Sequence, residues 1–138
     1  MILDATNLVL GRMAAIVAKK AILEEEIIIV NCDKSIVTGD KKEILANYKK
    51  KSKRGAPKTG PYIPRNSEKF VKRTIRGMIP YKQPKGREAF KRVMCYVGLP
   101  EEFKDKTLET IEKANISKMK NLKFLTVREI CFYLGGKL

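Results

Sequence analysis

Histidine is absent from this 138-residue chain. Its absence removes the usual general base, the usual partner of a nucleophilic serine or cysteine, and the commonest metal ligand, so catalysis would rest on carboxylates or lysines alone. Cysteine is scarce. Cys32, Cys95 and Cys131 are odd in number, widely spaced and set among apolar neighbours, which argues against a disulfide framework and suits buried thiols in a reducing compartment. There is no Cys-x-x-Cys pair to begin a zinc site, and no metal is expected. No apolar run, Ile27 to Val30 included, approaches the roughly 20 residues needed to cross a bilayer. Nor do the first residues show a basic segment followed by a long apolar one. The expectation is a soluble, cytoplasmic chain with no membrane partner.

Acidic residues are nearly missing from the middle of the chain. Between Lys41 and Arg92 there are 18 Lys and Arg but only Glu43, Glu68 and Glu88, and this surplus equals the net charge of +15 for the whole chain. The other residues balance, with 12 basic and 12 acidic side chains. A field this concentrated repels itself, so a polyanion is expected to neutralise it in the working state. The polyanion is read as nucleic acid, and specifically as structured RNA. With 43% apolar residues, residues 1–138 have the size and composition of one compact domain. Within it, 41–92 is the RNA-facing region and 101–138 a less diagnostic C-terminal segment.

Local patterns supply the frame. Ile2 and Leu3 open an apolar segment ending at Asp4. Gly11 to Leu23 then carries Met13, Ile16, Val17, Ala21 and Ile22 at helical spacing, and Glu26 to Val30 is a β-branched run of strand length. Strand, helix and strand over this span read as a right-handed βαβ unit with a parallel sheet. Ser35 to Thr38 is a further short strand. Asp40 and Glu43 have capping-box spacing ahead of a helix to about Arg54. Prolines 57, 61 and 64 with Gly60 then favour an extended loop. Ser67 is expected to cap a helix to about Arg76, closed by Gly77 and Pro80, and Pro84 to Arg92 forms a short helix feeding a strand over Val93 to Val97. Thr126 and Glu129 make a second capping box, opening a helix that Gly135 and Gly136 end.

A βαβ opening invites a dinucleotide, yet the turn after the first strand holds one glycine, Gly11, where the phosphate fingerprint needs three. No phosphate-binding loop follows either, so no cofactor and no small-molecule substrate are expected. The chemistry instead lies in cations. On the helix opened by Ser67, Lys69, Lys72, Arg73 and Arg76 fall at i, i+3, i+4 and i+7, while Phe70, Val71, Ile75 and Met78 gather on the other side. Only Glu68 relieves the repulsion. Arg73 and Arg76 suit bidentate phosphate contact, with Lys69 and Lys72 as point charges. Lys49, Lys50, Lys51, Lys53 and Arg54 crowd the end of the preceding helix, more cations than capping of its dipole requires. Lys58, Tyr62 and Arg65 follow in the loop, where the Tyr62 ring either stacks on a base or packs against the sheet. Lys82, Lys85, Arg87, Lys91 and Arg92 extend the field, with Phe90 and Val93 read as core.

Four stretches in order carry a family resemblance. They are Leu3-Asp4-Ala5 through Leu10-Gly11-Arg12-Met13-Ala14; Val30-Asn31 with Lys34 and Thr38-Gly39; Arg73-Thr74-Ile75-Arg76-Gly77-Met78-Ile79-Pro80; and Lys85-Gly86-Arg87-Glu88-Ala89-Phe90 with Tyr96-Val97-Gly98. Together they resemble the universal large-subunit ribosomal protein thirteen family over roughly residues 2 to 103. The short connection from Thr38 to Ala46 and the Gly86-Arg87-Glu88 segment look like its archaeal and eukaryotic branch, and the compact length favours an archaeal source. The resemblance implies an α/β fold, a three-layer α/β/α arrangement with a four-stranded parallel sheet and basic helical and loop extensions. It further implies a non-catalytic structural constituent of the large ribosomal subunit, bound to ribosomal RNA and neighbouring ribosomal proteins and not a homo-oligomer. The family's RNA-facing stretch carries over to Arg73, Arg76 and Arg12. The alternative is a free-standing RNA-binding regulator or RNA-modifying enzyme. The last segment is expected to complete the core rather than to serve a protein neighbour.

Overall fold

The computed structural model describes residues 1–137. Strand β1 (Ile2–Asp4), helix α1 (Leu10–Ile22) and strand β2 (Ile27–Val30) form the expected parallel unit, with Leu3 opposite Ile29. Helix α1 buries Met13, Ala14, Val17, Ala18 and Ala21. Its last turn carries Lys19 and Lys20, cations that suit the negative end of the helix dipole. A long crossover then runs through β3 (Ile36–Thr38), α2 (Lys41–Ser52), α3 (Ser67–Met78) and α4 (Pro84–Lys91) before β4 (Val93–Cys95) pairs with β2. Strand β5 (Phe124–Thr126) and helix α5 (Val127–Tyr133) complete the order.

The parallel sheet has three strands, in the order β1-β2-β4, where four were expected. Beside β1 the described residues add a single bridge: the Asp4 N–H donates to the Glu109 carbonyl at 2.9 Å, and the Glu109 N–H to the Ile2 carbonyl at 2.8 Å. The sequence around it, charged from Glu101 to Lys106, has no apolar run to extend that bridge into a strand. β3 and β5 form a separate antiparallel pair.

Both steps across the sheet run in the same direction, so right-handed crossovers leave their helices on one side. Accordingly α1, α3 and α4 pack together. Leu3, Ile27, Ile29, Val93 and Cys95 are buried on that side. Register aligns Ile2, Ile28 and Met94 on the other face, where Met94 is 43% exposed. Helices α2 and α5 pack near α3 and the β3–β5 pair instead, with the rings of Tyr48 and Phe70 5.3 Å apart.

Caps differ in detail from the sequence reading. Asp40 occupies the N-cap of α2, but its side chain caps nothing and lies 3.7 Å from the Lys123 ammonium. Asn66, not Ser67, caps α3: its side-chain oxygen accepts the Glu68 N–H at 3.1 Å, while Ser67 turns inward. Helix α3 also passes through Gly77 and stops at Ile79, because the residue before a proline is pushed out of the helical region. The Thr126–Glu129 capping box forms as expected. Cys32, Cys95 and Cys131 are buried and free.

Candidate nucleic-acid interface

The turn between β1 and α1, where a dinucleotide would approach, is filled by the chain itself. Leu8, Val9 and Leu10 are buried there. The Val9 N–H donates to Ala114 at 2.8 Å, the Ile116 N–H to Asn7 at 3.1 Å, and the Ile36 N–H to Leu8 at 2.9 Å. Two of the thiols are shifted away from the thiolate: a hydrogen bond with Cys95, then burial, pushes the Cys32 thiol up, and burial pushes Cys131 up. Both shifts favour the protonated thiol over the nucleophilic thiolate.

The cations of residues 41–92 present the opposite picture. Among the described residues, none of them pairs with an acidic side chain within 4.0 Å. The four salt bridges, Lys20–Glu25, Lys104–Glu101, Lys118–Glu112 and Lys123–Asp40, all lie outside that stretch. Even Glu68, the one acid on α3, is turned away, its carboxylate accepting the Val97 N–H at 3.2 Å. The repulsion on α3 is therefore unrelieved within the chain.

Helix α3 separates its two faces as its spacing dictates. Phe70, Val71 and Ile75 are buried, while Lys69 and Arg76 are exposed and Lys72 and Arg73 half-buried. Met78, expected on the docked side, is 44% exposed, and the core is entered there by its neighbour Ile79 instead. The Arg73 guanidinium donates to the Tyr62 carbonyl. This bond fastens the loop to α3, so Tyr62, Pro64, Lys69, Arg73, Arg76 and Phe90 line one cleft of about 260 Å³. Phe90, read as core, is half-buried in its wall, with the Lys72 ammonium 5.0 Å from the ring centroid. Tyr62 packs against no sheet: it is 68% exposed, and its hydroxyl donates to Pro57 at 3.2 Å.

Tyr62 also borders a second cleft with Lys53 and Arg54, which joins the end of α2 to the α3 face. Lys49, Lys50 and Lys51 occupy the last turn of α2 and, like Lys58, Lys82, Lys85, Arg87 and Lys91, are exposed. Three arginines behave otherwise. Arg65 lines a different cavity, of about 640 Å³, with Arg128 and Phe132 beside α5. Arg92 is half-buried and donates to the Ala21 carbonyl at 3.3 Å, closing the end of α1. Arg12 is exposed on the first turn of α1, 3.5 Å from the Lys113 carbonyl and part of neither cleft. Sequence reasoning missed Pro64 and Phe90 as cleft walls and Arg128 and Lys137 as neighbours of Arg65. Only the folding of the 55–66 loop onto α3 brings the cleft walls together.

Residues 1–102 match the family described as ribosomal protein L13. The chain belongs to the ribosomal protein L13 family. Its relatives named large ribosomal subunit protein uL13 include that of Archaeoglobus fulgidus, 41% identical over 97% of this chain and 86% of the relative. That of Methanocaldococcus jannaschii is 40% identical over 99% and 98% of the two chains. In Methanopyrus kandleri the figures are 39% identity over 99% and 87%. All three are archaeal, within the archaeal and eukaryotic branch that the Thr38 to Ala46 connection suggested and as the compact length favoured. Their alignments also cover the last segment, in which Val127, Ile130 and Cys131 of α5 complete the core while Phe132 and Tyr133 remain exposed.

Proposed function

We propose that this chain is a non-catalytic structural constituent of the archaeal large ribosomal subunit, working in the cytoplasm, where its middle third is neutralised by ribosomal RNA. The observation that carries the reading is the complete lack of acidic partners for the cations of 41–92 among the described residues, in a chain whose other charges are balanced and partly paired. A protein that kept this field in solution would hold it against its own repulsion. Family membership supports the same reading. Lys69, Lys72, Arg73 and Arg76 form the centre of the proposed RNA surface. Lys49, Lys50, Lys51, Lys53, Arg54, Lys58 and Tyr62 flank it on one side and Lys82, Lys85, Arg87 and Lys91 on the other, with Arg12 and Arg65 as outlying contacts. Neighbouring ribosomal proteins are the further partners, for which the exposed Phe132 and Tyr133 are available.

The test is sedimentation of a cell lysate with detection of this chain across the gradient. It should travel with the large subunit and stay there through a moderate salt wash. Recovery at the top of the gradient would instead favour a free-standing regulator.

A further inference from the structure

We infer that the cleft between the 61–65 segment and α3 holds a single unstacked RNA nucleotide, its base lying on the Tyr62 ring and its phosphate on Lys69 and Arg76. The inference rests on the RNA reading above and adds a defined subsite to it.

Three observations converge. First, Tyr62 is exposed yet held in place, its hydroxyl bonded to Pro57 and its carbonyl to the Arg73 guanidinium. A ring already fixed in an open position loses little freedom when a base covers it. Arg73 is in this respect a positioning residue. Second, every charged group of the lining is a cation: Lys69, Lys72, Arg73 and Arg76. The ligand must therefore bring negative charge as well as a flat apolar surface. Aromatic platforms beside cations are the arrangement that takes single-stranded nucleic acid, since every base has a face to stack. Third, at about 260 Å³ the cleft is smaller than ordinary ligand pockets, roughly 300–1,000 Å³. One nucleotide turned out of its strand suits it, whereas a duplex presents its bases already stacked. Because every charged group of the wall is a cation, the cleft selects phosphate and base oxygens and little else about sequence.

The test uses the whole chain, with Tyr62→Leu and Tyr62→Phe variants, titrated at one salt concentration against single-stranded oligouridylate and a blunt RNA duplex of equal charge. The leucine variant should bind the single strand about 5- to 150-fold more weakly, the range that loss of one stacked base supplies. Its duplex affinity should equal that of the parent, and the phenylalanine variant, which keeps the ring but not its bond to Pro57, should lose less than the leucine variant on the single strand and nothing on the duplex. Unchanged single-strand binding by the leucine variant would overturn the subsite, as would an equal loss on both RNAs. In either case duplex binding by the parent leaves the broader RNA reading standing. Failure of the parent to bind either RNA would remove both readings together.

Discussion

Gly77 and Gly86 stand on consecutive helices, and a methyl group at each has opposite consequences. Helix α4 brings Gly86 so close to the Pro80 carbonyl that a Cβ would overlap it, and would also lie 2.9 Å from the Tyr81 nitrogen. Gly86→Ala should therefore lever α4 away and destabilise the protein by about 1–3 kcal/mol. At Gly77, inside α3, a methyl group would meet nothing within 4 Å. There glycine only weakens the helix, so Gly77→Ala should stabilise the free chain by about 0.5–1 kcal/mol. Urea titration of both variants checks the two signs at once. Asp4 gives a pH dependence. Burial alone would push its carboxyl up, but hydrogen bonds from the Thr6 hydroxyl at 2.7 Å and the Asn31 amide at 3.0 Å outweigh it, helped by the Thr6 N–H and by Lys34. The folded value lies below the unfolded one, near 3.9. Its stabilising effect is thus present above that value and lost as the pH falls through the folded value. The advantage of the parent over Asp4→Asn in urea midpoint should be plain at pH 7 and shrink on acidification. A gap that stayed constant down to acid pH would contradict the assignment.

At the scale of the element, α3 divides stability from binding. Ile75 is fully buried, so Ile75→Ala should cost about 2–5 kcal/mol and harm incorporation into large subunits only through unfolding. Lys69→Glu with Arg76→Glu should leave circular dichroism and melting intact, or raise the melting point through relieved repulsion, while RNA affinity drops sharply. An unfolded double variant, or one that entered subunits as well as the parent, would break the division. Arg73 is a poorer choice because it also holds the Tyr62 carbonyl. This division was legible in the sequence because helical spacing fixes which side chains share a face. The cap of α3 was less so: Asn66 and Ser67 are both good cap residues, and only the inward packing of Ser67 decides between them. Equally hidden were the turning of Glu68 to Val97 and of Arg92 to Ala21, since both depend on distant segments meeting. The four-stranded sheet implied by the resemblance was reduced to three for a similar reason, since β3 pairs with the distant β5 instead of joining β1, β2 and β4.

The whole molecule places its balanced charges around the core and its unbalanced ones on the α2-to-α4 crossover, and salt should act on these two features with opposite signs. In the free chain, screening shortens the reach of repulsion, from about 10 Å at 0.1 M to about 3 Å at 1 M. Added sodium chloride should therefore raise its melting point. With RNA bound, the same salt opposes release of the counterions that each neutralised phosphate sets free. For roughly 6 to 10 contacts at about 0.7 per single-stranded contact, log affinity should fall against log salt with a gradient of about −4 to −7. Melting curves and binding titrations over one salt series measure both. A protein whose lysines were merely a solvated surface would show a shallow gradient, because few phosphates would be engaged. One whose field was internally compensated would show no rise in melting point. The absence of ion pairs within 41–92 among the described residues argues against the second, and the Lys69-to-Arg76 face beside the Tyr62 cleft against the first. Steep loss of RNA with simultaneous gain in the free chain is the signature of a charge field built for a polyanion.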